Sequence, residues 1–232
     1  MQKNEECKKP QLVVMLTYND LTVANAEEIF EECKCSDAQI WGFKEKPLPI
    51  DRMKALYGKM KSCGKTTCLE VVAYTEDEGM EGARIAAECV CDVLMGTKFS
   101  SKIADFCRLH NIKYMPFVGT ITGRPSVLAG TPEEMIAEAL DALKGGAYGI
   151  DLLGYRYVGD ALDLNKRITA AVPAPVCIAG SIDSYERLDE IIETSPSAFT
   201  IGSAFFNHKF GGDIKNQINS VCRYVANEPV KV

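Results

Sequence analysis

Thr131-Pro132-Glu133-Glu134, then MIAEALDALKGGA, then Tyr148-Gly149-Ile150-Asp151-Leu152-Leu153, decides the architecture. A threonine N-cap, a proline at the first helical position and a glutamate closing the capping box predict a helix start. The largely apolar run after it, interrupted only by Asp151, fits a strand buried on both faces of a parallel sheet. Working outward, similar runs recur at Leu12–Thr17, Ala38–Phe43, Thr67–Tyr74, Asp92–Thr97, Tyr114–Gly119, Val176–Ala179 and Ala198–Ala204. Helix-type stretches lie between them at Ala24–Lys34, Asp51–Ser62, Met80–Cys89, Ile103–Leu109 and Leu162–Ala171, and two more start at Asp183-Ser184-Tyr185-Glu186 and Ile214. Strand and helix alternate eight times at intervals of roughly 22–34 residues, which predicts a single (β/α)8 TIM barrel. A doubly wound open sheet would usually carry a glycine-rich fingerprint after its first strand. Thr17-Tyr18-Asn19-Asp20 has no glycine.

The 232 residues are 47% hydrophobic, with Lys+Arg 26 against Asp+Glu 32 and a net charge of −6. That apolar content excludes a disordered chain, and the acidic balance disfavours nucleic acid as a partner. No apolar run reaches the roughly 18–20 residues of a membrane span. Met1–Pro10, MQKNEECKKP, reads as a polar extension without the apolar segment of an export signal, so a cytoplasmic location is expected. The ten cysteines suit small buried hydrophobes in a reducing compartment better than a disulfide framework. Cys33/Cys35 and Cys89/Cys91 are spaced too closely for common zinc motifs, and no metal or other cofactor is expected.

Barrel active sites lie in the loops after the strands. The seventh run leads into Ala179-Gly180-Ser181-Ile182 and the eighth into Ile201-Gly202-Ser203-Ala204. Each offers a glycine for close backbone approach, a hydroxyl and free amides at a helix start. Together they predict a nest of N–H donors for a phosphate dianion.

The segments Pro175–Ile182 and Phe199–Ala204 resemble the closing strands of the ribulose-phosphate-binding barrel superfamily, which includes phosphosugar epimerases, isomerases and aldolases. The resemblance implies a small phosphorylated metabolite held at Gly180, Ser181, Gly202 and Ser203. It does not choose a reaction.

Within the runs, Glu70 and Asp151 are carboxylates in apolar surroundings. Facing the helix layer they would cost several kcal/mol, whereas facing the barrel interior they can meet substrate and serve as acid and base. Lys44 and Lys98 end runs on the same side. Lys98 is the stronger candidate for a Schiff base or an enolate-stabilising cation, because its run carries directly into it. Arg124, in the long segment Gly119–Gly130, and Arg156, in Gly154–Asp160, are candidate anion clamps, and Asn19 could orient a substrate oxygen. His208 reads as a surface or packing residue. Phe205, Phe206 and Phe210 could either form a homo-oligomer surface or close the barrel top. The leading expectation is an enzyme that abstracts a proton beside a carbonyl of a phosphorylated sugar or sugar acid, in an aldolase-type reaction. Isomerisation or epimerisation, and a barrel that binds a phosphometabolite without turning it over, are the alternatives.

Overall fold

In the computed structural model, which describes residues 9–227, eight parallel strands close on themselves and the helices surround them. The strands are β1 (Gln11–Met15), β2 (Ile40–Lys44), β3 (Thr66–Val71), β4 (Val93–Lys98), β5 (Lys113–Phe117), β6 (Ile150–Leu152), β7 (Val176–Ile178) and β8 (Ala198–Ile201). The helices are α1 (Ala26–Cys33), α2 (Ile50–Ser62), α3 (Glu76–Glu88), α4 (Ser101–Leu109), α5 (Pro132–Lys144), α6 (Ala161–Ala171), α7 (Tyr185–Thr194) and α8 (Ile214–Val225). Pairing of β1 with β8, from Gln11↔Ala198 to Val14↔Ile201, closes the ring and removes the open-sheet alternative. Met1–Lys8, most of the expected polar extension, lie outside the described residues.

Two layers of side chains follow from the strand period of two. Leu12, Val14, Leu69, Leu94, Ile150, Ile178 and Phe199 point outward and pack beneath the helices. Val13, Met15, Cys68, Val93, Met95, Met115 and Cys177 point inward and fill the barrel. The same inward parity in β2 and β3 sets Lys44 directly beside Glu70 in the ladder.

The structure departs from the sequence expectation in three places. Helix α3 begins a turn early because Thr75 caps it reciprocally with Glu78. Ser184, not Asp183, caps α7. Gly119–Gly130, expected as a long strand-to-helix loop, contains an antiparallel pair of Thr120–Thr122 with Val127–Ala129.

Candidate active site

A cavity of about 190 Å³ opens at the C-terminal end of the strands. On one wall stand the turns after β7 and β8, with Gly180, Ser181, Gly202 and Ser203 all at its surface. Within the described chain, no hydrogen bond engages the main-chain amides of these four residues. Both glycines are dictated by space: a Cβ on Gly180 would lie 2.6 Å from Arg156 Cγ, and one on Gly202 would lie 2.5 Å from Thr17 Oγ1. Gly180 and Ser181 both adopt positive φ (91° and 39°), curling the first turn so that consecutive amides can converge. Arg187 Nη1 donates to the Ser181 carbonyl at 2.5 Å while its guanidinium covers the Tyr155 ring. A planar trans peptide sets C=O and N–H in opposite directions, so anchoring that carbonyl fixes where the Ile182 amide points. Ser203 is held similarly, its Oγ accepting from the Asn19 amide at 3.1 Å.

Opposite these turns lies a charged cluster. Lys44 Nζ is 3.2 Å from Glu70 Oε1 and 3.2 Å from Asp20 Oδ1. Arg156 Nη2 lies 3.8 Å from the same Asp20 oxygen, and the Ser126 amide donates to Asp20 Oδ2 at 3.3 Å. The Lys44 backbone is pinned by Thr22 Oγ1, which donates to its carbonyl at 2.7 Å and accepts from its amide at 2.9 Å. Burial would lower the Lys44 ammonium, but Glu70 and Asp20 outweigh burial and hold it above the ordinary lysine range. Burial would raise Asp20, yet Lys44, Arg156 and the Ser126 amide together keep it below the usual carboxylate range. The cluster thus presents a charged amine between two carboxylates.

Asp151 lies deeper. It is fully buried, beside Cys177 in the β6–β7 ladder, and neither carboxyl oxygen has a hydrogen-bond partner. Burial, then the neighbouring Glu70 carboxylate, pushes it well above the usual range; Lys44 and the Gly96 amide oppose this without reaching hydrogen-bonding geometry. Burial and the Glu70 charge thus favour its protonated form.

The sequence candidates therefore separate. Glu70, Lys44, Arg156 and the four turn residues share one cavity, with Asp151 behind it. Lys98 does not join them. The β4–β5 register slips between Met95 and Lys98, with Gly96 and Thr97 at positive φ. Thr97 turns into the helix layer, bonding Tyr114 Oη, and Lys98 is left exposed. Arg124 is also diverted, its Nη2 lying 3.3 Å from Glu45 Oε1 and 3.2 Å from the Val72 carbonyl. Asn19 contributes its backbone amide to Ser203 rather than a side chain to the cavity. His208 is exposed and bonds the Gly212 carbonyl through Nδ1. Phe205 and Phe210 are buried in the layer beneath the helices, Phe206 packs against that layer, and Phe206 meets Tyr18 edge-on.

Sequence reasoning missed Asp20, Ser126, Asn207 and Lys209, which also line the cavity. Asp20 was legible in principle: Asn-Asp pairs favour two-residue turns with positive φ, as here at 48° and 62°. Such a turn after the first strand aims a carboxylate across the barrel mouth.

No protein-family model matches the chain, and no curated protein matches it in sequence. Its structure is similar to N-acetylmannosamine-6-phosphate 2-epimerase from Clostridium perfringens, at 13% identity and a TM-score of 0.63, over 88% of this chain and 92% of that one. It is similar to native KDPGal at 15% identity and 0.63, over 98% of both chains. Orotidine 5'-phosphate decarboxylase from Lactobacillus acidophilus follows at 13% and 0.61, over 94% of this chain and 99% of that one. The fold shared with these neighbours is the (β/α)8 barrel. At such identities the likeness is one of fold.

Proposed function

We propose that this chain is an enzyme acting on a small phosphorylated sugar or sugar acid by proton transfer beside a carbonyl. One observation carries the reading: the Lys44–Glu70 pair shares a cavity with the unengaged amides of the last two turns. The amides of Gly180, Ser181, Gly202 and Ser203 receive the phosphate. Glu70 takes the proton from carbon, and Lys44 stabilises the oxygen on which charge develops. The proton held by Glu70 can return to the neighbouring carbon of an enediolate while the hydroxyl hydrogen passes to the former carbonyl oxygen, which is isomerisation. Alternatively, a solvent proton can reach the same carbon from its other face, which is epimerisation. Isomerisation or epimerisation therefore suits the site better than the imine aldolase chemistry expected from the sequence. Lys98 is out of reach, and Lys44 is held protonated, which opposes the nucleophilic amine that an imine requires. The phosphosugar epimerase among the structural neighbours adds support.

The test is a panel of sugar phosphates incubated in D2O and followed by NMR. Deuterium should enter beside the carbonyl of one of them, and Glu70→Gln should slow this by about 10²–10⁴-fold, the usual contribution of a positioned base. Absence of exchange across the panel overturns the reading. A borohydride-trapped adduct on Lys44 or Lys98 would restore the imine route.

A further inference from the structure

The charged side chains lining the cavity balance before any ligand enters: Lys44, Arg156 and Lys209 against Asp20, Glu70 and Asp183. A phosphate dianion docking there meets partial charges on amides but no surplus of formal positive charge. The incumbent anion of interest is Asp20. Its two oxygens collect the Lys44 ammonium at 3.2 Å, the Ser126 amide at 3.3 Å and the Arg156 guanidinium at 3.8 Å. Two cations and an N–H gathered on one carboxylate make the environment that a bound carboxylate ligand would require.

Two further facts distinguish this from a simple internal ion pair. Ser126 and Arg156 both line the cavity, and Ser126 Oγ and Arg156 Nε are buried without a partner, so the site has donors beyond those Asp20 uses. Asp20 also sits at the tip of a two-residue turn between Thr17–Tyr18 and Leu21–Thr22, not on a barrel strand. Its carboxylate can leave without disturbing the ladder.

We propose that Asp20 occupies a subsite for a second acidic group of the ligand, a carboxylate borne by the same molecule as the phosphate. The ligand's carboxylate replaces it on Lys44, Arg156 and Ser126. The inference rests on the phosphate reading above and narrows it to phosphorylated sugar acids.

Isothermal titration with 6-phosphogluconate and glucitol 6-phosphate tests it, since the two differ only in carrying a carboxylate or a hydroxymethyl group at one end. In Asp20→Asn, affinity for 6-phosphogluconate should rise by about tenfold while that for glucitol 6-phosphate stays within about twofold, as expected when one charged competitor is removed. Arg156→Gln should abolish the preference for the carboxylate, and it decides the matter if Asp20→Asn fails to fold. Equal changes for both ligands in Asp20→Asn, or a preference that survives in Arg156→Gln, overturn the subsite. If inorganic phosphate and both compounds leave the wild-type protein unbound, the phosphate reading itself fails and the subsite falls with it. If phosphate binds and the carboxylate is not discriminated, only the subsite falls.

Discussion

Lys44 is nearly enclosed, and its ammonium lies between the Glu70 and Asp20 carboxylates. Lys44→Met strands those charges in a poorly solvated cavity, so it should destabilise the protein by about 3–5 kcal/mol, read from urea denaturation. Asp151 behaves in the opposite sense. Its folded form binds a proton that the unfolded chain releases near the ordinary aspartate value. Stability is therefore greatest below that value and falls as pH climbs toward the raised folded one. Asp151→Asn should gain on the wild type by about 1.4 kcal/mol per pH unit across that window, measured by melting at pH 4 to 8. Glu70 and Asp151 were legible as candidates, because a carboxylate within an apolar run has few other places to go. Lys98 was misleading for a local reason: the slip after Met95 breaks the period-two count, and nothing in Met95-Gly96-Thr97-Lys98 fixes where a bulge falls.

At the scale of elements, the β7–α7 turn is held from outside by Arg187 and from inside by the space beneath Arg156. Arg187→Met frees the Ser181 carbonyl, and binding of inorganic phosphate should weaken by about tenfold in titration, the loss of roughly one charge-assisted hydrogen bond's worth of orientation. Gly180→Ala both strains a backbone at φ 91° and drives a methyl into the Arg156 side chain; a loss of about 1–2 kcal/mol in melting experiments is expected. The closing turns could be found from sequence because Gly-Ser after an apolar run carries its own geometric reason. The antiparallel pair in Gly119–Gly130 could not, since Thr-Ile-Thr and Val-Leu-Ala are too short to show a period. That pairing matters to the site: it brings Ser126 to Asp20 and draws Arg124 off to Glu45.

Across the whole molecule, the eight-fold cadence was readable because most of the strands read as continuous apolar runs, while which cavity the strands would enclose depended on inward parity and ring closure. Cysteine placement follows the same logic. Cys33, Cys68, Cys89, Cys91, Cys107 and Cys177 are buried, and Cys35 and Cys63 are exposed. Burial pushes the Cys89 and Cys91 thiols up to about 11 and that of Cys107 up to about 12. Iodoacetamide at pH 8 should therefore modify Cys35 and Cys63 first among the described cysteines, and the buried set only after unfolding, as mass mapping would reveal. No helix among the described residues is long and apolar enough to cross a membrane.

The inward layer of Val13, Met15, Cys68, Val93, Met95, Met115 and Cys177 has a kinetic meaning beyond packing. It stoppers the ring beneath Glu70 and Asp151 with thioethers, thiols and hydrocarbon, none of which relays hydrogen ions. Hydrogen exchange at Glu70 therefore runs through the cavity mouth, the same opening that admits the ligand, and solvent deuterium reaches carbon from that side and not through the barrel floor.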